Sequence, residues 1–346
     1  MIKQSLLNLM RMFGAFDLMR HISRRRALIL TYHRFSADGH DDDGKTPARQ
    51  FAKQLEYLTA NYDVVPLSRM VERITAGDPF PSHLAAVTID DGYRDAYDIA
   101  YPLLRRYRVP ATLFVVTEFA NRRDWIWTDK TRFLTQQAAP QRLTMKIRKS
   151  EMRLDLNGAR SRRNSSEHIN SIIKRLPDEL KEEAIRSLSL ALGVAIPWTP
   201  PEEFSSVTWD QAREMDANGV EIGSHTLTHP ILTKVGDERL RRELHDSKSQ
   251  LEEVLGRQVD LFCYPNGDND ERVQNEVERA GYQAAVTVVN GLNQQGDDPL
   301  LLRRVHTERD FTHFLQSTSG FERLKNRLRV IASNPTGYEF RSGKIE

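Results

Sequence analysis

Apolar runs of strand length alternate with stretches of helical spacing along most of the chain. Residues 27–33 read as a first strand ending in His33, followed by a helical pattern over 48–60, a short strand at 63–65 and a helix over 68–75. Residues 85–89 form an apolar strand that stops at Asp90-Asp91-Gly92, and a helical pattern then runs to about Tyr107. A strand at 111–116 comes next. After a long interruption, Thr208 N-caps a helix to about Ala217, and Asn218-Gly219 leads into a strand from Val220 that closes on His225 and His229. A charged helix at 237–255, strands at 259–264, 282–287 and 300–305, and a helix near 270–280 complete the pattern. This alternation predicts a parallel α/β architecture. Both polar clusters fall after strands, where such folds place their sites.

The rhythm breaks over 121–205. That stretch holds Trp125 and Trp127, a basic polar run at 141–165, a helical segment at 178–192 and a proline-rich exit, with 16 Lys+Arg against 11 Asp+Glu. A loop of that length without structure is unexpected inside a compact domain. It therefore reads as an inserted helical subdomain, either binding an acidic or sugar substrate with its tryptophans as stacking surfaces or packing at the rim. Residues 1–26 place Leu6, Leu7, Met10 and Phe13 at helical spacing beside several arginines. The two readings are an amphipathic helix at a membrane surface and a helix packed on the domain. The barrel is expected to span 27–330, with 331–346 a flexible tail.

Composition narrows the function classes. The 346 residues are 28% charged and 39% hydrophobic with a net charge of +2, which describes a globular protein and gives no bulk attraction for nucleic acid. A single cysteine, Cys263, excludes an internal disulfide framework. Asn8, Arg11 and Asp17 interrupt any secretory or spanning apolar stretch, so a cytoplasmic location, with peripheral contact at the inner membrane as an option, is the expectation.

Consecutive strand residues point to opposite sides, so Asp90 and Asp91 cannot do the same job. Two histidines and one carboxylate are a common zinc set that leaves a position open, and His225, His229 and one of the two aspartates supply it. Zinc lowers the pKa of a bound water to roughly 7 and polarises a carbonyl. The other aspartate is then free to take a proton. Cys263 is set aside as a ligand because a cysteine within a strand usually behaves as a small core hydrophobe. The chain carries no nucleophile elbow, Walker loop or dinucleotide fingerprint.

These residues resemble the polysaccharide deacetylases, the NodB-type carbohydrate esterases of family four, in their bacterial exopolysaccharide branch. Thr88-Ile89-Asp90-Asp91-Gly92 is similar to the first family motif, His225-Thr226-Leu227-Thr228-His229 to the second and Phe262-Cys263-Tyr264-Pro265-Asn266-Gly267 to the third, while Leu30-Thr31-Tyr32-His33 is similar to the entry strand. The resemblance implies a distorted (β/α) barrel, expected here with seven strands. It implies Asp91, His225 and His229 as metal ligands, with zinc the expected ion, and Asp90 as general base. It places the backbone N–H of Tyr264 at the oxyanion, with Tyr93, Pro265 and Trp127 expected at the substrate. The implied chemistry removes N-acetyl groups from aminosugars of a polysaccharide or its lipid-linked precursor; an O-acetyl esterase and a non-catalytic sugar-binding barrel are the alternatives. Two departures stand out. The third motif lacks the arginine that pairs with the base, which leaves Arg303 or Arg304 to replace it. The motif of the leaving-group acid is poorly matched by His306, with His33 as the other candidate.

Overall fold

The computed structural model describes residues 2–37, 44–77, 79–148 and 150–322. The expected tail at 331–346 lies outside them.

Seven parallel strands form a closed ring in chain order: β1 (Leu28–Tyr32), β2 (Leu84–Ile89), β3 (Ala111–Val115), β4 (Val220–Ser224), β5 (Leu261–Cys263), β6 (Ala284–Asn290) and β7 (Leu302–His306). Strand β1 pairs on one side with β2, Leu30 opposite Val87, and on the other with β7, Leu30 opposite Val305. This double pairing closes the barrel. The short strand Asp63–Val64 pairs only with the outer end of β2 and stays off the ring.

Period-two alternation divides each strand between two cores. Leu28, Leu30, Val87, Ile89, Leu113, Val115, Val220 and Ile222 face outward into the layer of helices. Ile29, Ala86, Phe114, Cys263, Val286 and Leu302 belong to an inner core. That inner core includes Leu67, Met70, Val71 and Ile74 of the helix Leu67–Ala76, which reaches the strand edge through Ser68, hydrogen-bonded to Glu221 on β4.

The insertion packs a core of its own, joining Trp127, Leu134, Ile147, Met152, Leu154, Ile169, Ile185 and Leu188. It is built on the helices Trp127–Gln137, Ala159–Ile173 and Lys181–Leu192. It also holds an element that the sequence reading left out. Arg142–Ile147 and Ser150–Asp155 form an antiparallel hairpin. Leu143, Met145 and Ile147 alternate with Arg142, Thr144 and Lys146, and Met152 and Leu154 alternate with charged residues; the high charge hid a period of two that buries one face only.

At the N-terminus, α1 (Ile2–Met12) and α2 (Ala15–Ile22) are joined through Gly14, whose φ of 69° makes the turn. They contact the helix Phe311–Thr318 that follows β7.

Barrel interiors leave no slack for larger side chains. A Cβ on Gly223 of β4 would lie 2.7 Å from the Phe114 ring and 3.0 Å from the Leu261 carbonyl oxygen. Gly223→Ala is expected to cost about 1–3 kcal/mol by overpacking. An unchanged urea midpoint in that variant would refute this account of the inner core.

Candidate functional site

The strand ends bring the polar clusters to one mouth. Asp90 and Asp91 follow β2, His225 follows β4, Tyr264 follows β5 and His306 ends β7. The Asp90 backbone N–H donates to the Tyr32 carbonyl (2.9 Å), which keeps the chain in register for one residue past the strand. Asp91 then adopts a left-handed φ of 74° and Gly92 one of 79°. At Gly92 a Cβ would also sit 3.3 Å from the Val115 Cα, so that position needs glycine for both space and conformation.

This turn sends the two carboxylates to different partners. Asp91 Oδ1 lies 3.4 Å from His225 Nε2 and 3.5 Å from His229 Nε2. The three side chains are buried and their ligand atoms fall within 4.8 Å of one another. His225 Nδ1 donates to the Cys263 carbonyl (2.7 Å), which fixes the tautomer and leaves Nε2 facing Asp91. Burial and then the neighbouring His225 push His229 down to about 3, so it stays neutral, the form a ligand requires. Burial lowers the His225 pKa, but Cys263 and Asp91 hold it well above the ordinary imidazole value, so a cation bound there displaces a proton. One carboxylate and two imidazoles, convergent and buried, fit a divalent cation.

The histidine loop is strained and held by a distant acid. Thr226 (φ 70°) and His229 (φ 58°) both take left-handed conformations. Glu243, inside the helix Asp237–Leu255, accepts from the backbone N–H groups of Leu227 (3.0 Å) and Thr228 (2.8 Å) and from the Thr228 hydroxyl (2.5 Å). Nothing local marks Glu243 in that highly charged helix, and the sequence reading missed it.

Arg304, fully buried, grips Asp90 in bidentate fashion, Nη1 to Oδ1 at 2.7 Å and Nη2 to Oδ2 at 2.8 Å. This decides between Arg303 and Arg304, because Arg303 instead pairs with Asp297 (3.1 Å). Burial pushes the Asp90 carboxyl up, but the Arg304 guanidinium, helped by His33, holds it below the ordinary carboxylate value. A second group of donors, Asp90, His225 and Cys263, is close enough to hold an ion. Arg304 Nη2 lies 3.3 Å from Cys263 Sγ, however, and its fixed positive charge disfavours a cation there.

The Tyr264 N–H, the expected oxyanion donor, donates to the Val286 carbonyl (3.2 Å) within the sheet. Tyr93, Pro265 and Trp127, expected at the substrate, are all largely buried, and Trp127 lines a cavity together with Trp125 and Thr228 of the histidine loop. The Tyr93 hydroxyl donates to Asp129 (2.6 Å), and the Arg34 guanidinium sits 3.9 Å from the ring centroid. Trp127 belongs to the core of the insertion, with Lys181 Nζ 5.1 Å from its ring centroid. Pro265 starts the turn in which Asn266 adopts φ 56° and keeps a buried Nδ2 without a hydrogen-bond partner. Asp129, also missed in the sequence, is pushed up to about 6 by burial, against the pull of Arg34 and Tyr93, and ties the insertion to the turn after β2. His306 is exposed at the end of β7, its pKa lowered by partial burial, then by His33 and Arg304. His33 Nε2 lies 3.6 Å from Asp90 Oδ2.

The Asp90–Arg304 pair carries a pH signature. With Arg304 present, the depressed Asp90 pKa contributes stability above the unfolded carboxylate value, and this is lost as pH falls through the folded value. In Arg304→Met burial loses its main opponent, with only His33 and His225 left to oppose it, and the Asp90 pKa rises, so the penalty is greatest at neutral pH and fades on acidification. A loss of about 3–5 kcal/mol is expected at neutral pH, narrowing in acid. Denaturation in neutral and mildly acidic buffers measures it, and an equal loss in both would contradict the assignment.

The sequence model of the family described as polysaccharide deacetylase matches residues 77–285. YxkH of Bacillus subtilis (strain 168), a polysaccharide deacetylase by name, is 21% identical over 278 residues, covering 80% of this chain and 70% of its own. Among solved structures, the deacetylase PplD of Streptococcus pyogenes, in complex with acetate, superposes with a TM-score of 0.57 at 18% identity, over 86% of this chain and 99% of PplD. IcaB from Ammonifex degensii gives 0.56 at 20% identity, over 86% of this chain and 97% of IcaB. These two structures are alike in fold, and the family match spans the strands that carry Asp90, Asp91, His225 and His229. The chain belongs to the polysaccharide deacetylase family.

Proposed function

We propose that this deacetylase is metal-dependent, with zinc the preferred ion, and hydrolyses N-acetyl groups on aminosugars of a polysaccharide or its lipid-linked precursor. The observation that carries the reading is the division of the two adjacent acids: Asp91 faces two imidazoles, whereas Asp90 is locked to Arg304. Asp91, His225 and His229 would hold the ion. When bound, it supplies Lewis acidity and water activation at neutral pH.

The chain's own residues supply the rest. Asp90, kept ionised by Arg304, accepts the proton of the attacking water. Arg304 fixes the orientation of both Asp90 oxygens, so that general-base catalysis starts from one geometry. Asn266, whose unpartnered Nδ2 follows β5 at the site end of the barrel, replaces Tyr264 as the candidate donor to the developing oxyanion. His306 at the end of β7 is the candidate acid for the leaving nitrogen, giving acetate and a free amine. One observation favours the ester reading: the lowered pKa of His306 reduces its protonated fraction, which matters less for an alkoxide leaving group than for an amine.

Metal-stripped protein should release no acetate from N-acetylglucosamine oligomers and should regain release on addition of zinc, whereas Asp91→Ala should not respond. Release by stripped protein or by Asp91→Ala would remove the metal from the mechanism. Acetyl esters assayed in parallel separate the two substrate classes. Asp90→Asn is expected to lower turnover about 10²–10⁴-fold while retaining metal by direct analysis. Full activity in that variant would exclude Asp90 as the base.

A further inference from the structure

Large exposed apolar side chains are concentrated at one place. Of the eight among the described residues, five lie on the N-terminal helical pair: Leu9, Met12, Phe13, Leu18 and Ile22, with Met12 81% and Phe13 80% exposed. The pair is not merely unpacked, because its other face is seated. Leu7, Phe16 and Met19 are buried, and the Phe16 ring meets Phe321 edge-on at 5.9 Å. Asn8 Oδ1 accepts from the Thr312 hydroxyl (3.3 Å), and Arg11 Nη1 reaches the same hydroxyl (3.5 Å). Each helix thus buries one apolar face against the protein and offers a second to the surroundings. Solvating that second face costs free energy that a docked partner would recover.

The charges around the face select the partner. Residues 5–26 contain Arg11, Arg20, Arg24, Arg25 and Arg26 against one acid, Asp17, which pairs with Arg20 at 3.1 Å. A second copy of the chain would bring two such arginine sets together, whereas an anionic lipid surface complements them. No helix among the described residues is long and apolar enough to cross a membrane. At 11 and 8 residues, α1 and α2 are too short to span the hydrocarbon core.

We infer that α1 and α2 form a peripheral anchor that inserts Leu9, Met12, Phe13, Leu18 and Ile22 among the acyl chains of an anionic membrane surface, with the flanking arginines on the head groups. The pair runs along the flank of the barrel: α1 meets Thr312 in the first turn of the helix that follows β7, whereas Arg20 of α2 donates to the Asn61 carbonyl (3.2 Å) and the Arg24 carbonyl accepts from the His83 N–H (2.6 Å) at the end where β1 and β2 begin.

The test is flotation of the full chain with vesicles of phosphatidylcholine alone and of phosphatidylcholine mixed with phosphatidylglycerol. Binding to the mixed vesicles that weakens with salt is expected. The triple variant Met12→Ser, Phe13→Ser, Leu18→Ser should lose about tenfold in binding per side chain, taking the apolar burial value as a guide. Its thermal melt and its acetate release from soluble oligomers should stay unchanged, since these side chains touch neither core nor site. Three results would overturn the inference: no vesicle binding by the parent chain, unaltered binding by the triple variant, or a concentration-dependent dimer that the variant abolishes, which would make a second copy the occupant. Vesicle binding and soluble-substrate turnover are read separately, so either reading can fail without the other.

Discussion

The buried contact between Arg304 and Asp90 is the constraint around which the mouth of the barrel is arranged. Arg304 also donates from Nε to the Thr287 carbonyl (2.8 Å) and from Nη1 to the Thr88 hydroxyl (3.1 Å), so one guanidinium joins β2, β6 and β7 and touches Cys263 of β5. A charge taken so far out of water is tolerated only when paired and fully hydrogen-bonded, and here it is both. The contact has a chemical consequence as well. By occupying both Asp90 oxygens it withdraws that carboxylate from cation binding and leaves Asp91 to the histidines. Two neighbouring acids acquire separate roles because one buried arginine takes only one of them.

The ligand side of the mouth depends on backbone strain. Asp91, Thr226 and His229 all lie in the left-handed region, a conformation that costs a non-glycine residue on the order of 1–3 kcal/mol. Such turns persist only where the surroundings hold them. Glu243 does this for the histidine loop through three accepted hydrogen bonds, and the Val116 N–H approaches the Asp91 carbonyl oxygen at 3.5 Å on the other side. Rigidity of this kind places both imidazole Nε2 atoms around a single carboxylate oxygen before any ligand arrives.

The additions to the barrel are tied to the site by polar links. The insertion, with its separate apolar core, reaches the turn after β2 through Asp129 and the Tyr93 hydroxyl, and Arg34 packs over the same ring while pairing with Asp95 at 2.7 Å. Burial that favours the neutral form of Asp129 still leaves it able to accept from Tyr93, so the link survives either protonation state. Trp127 packs in the core of the insertion and, with Trp125, also lines a cavity that reaches Thr228 of the histidine loop.

The sequence by itself determined the strand–helix rhythm, the placement of polar clusters after strands and the separation of Asp90 from Asp91, because each is a local matter of periodicity and of the alternation along a strand. His225 and His229 with one of the two aspartates were legible as a set for the same reason, and the family resemblance pointed to Asp91. Residues whose meaning lies in long-range contact were not. The choice of Arg304 over Arg303 required the barrel to close, since only inward-facing Arg304 meets Asp90. Glu243 and Asp129 became visible once the helix and the insertion were placed beside the loops they hold. The partner of the Tyr264 N–H was not legible either, because a backbone N–H at a strand end is free or engaged according to its neighbour, here Val286. The hairpin at 142–155 was hidden by charge, since a strand that buries one face shows half of its pattern as polar residues. Local pattern encodes which residues sit at a strand end; only the closed barrel decides which of them face one another.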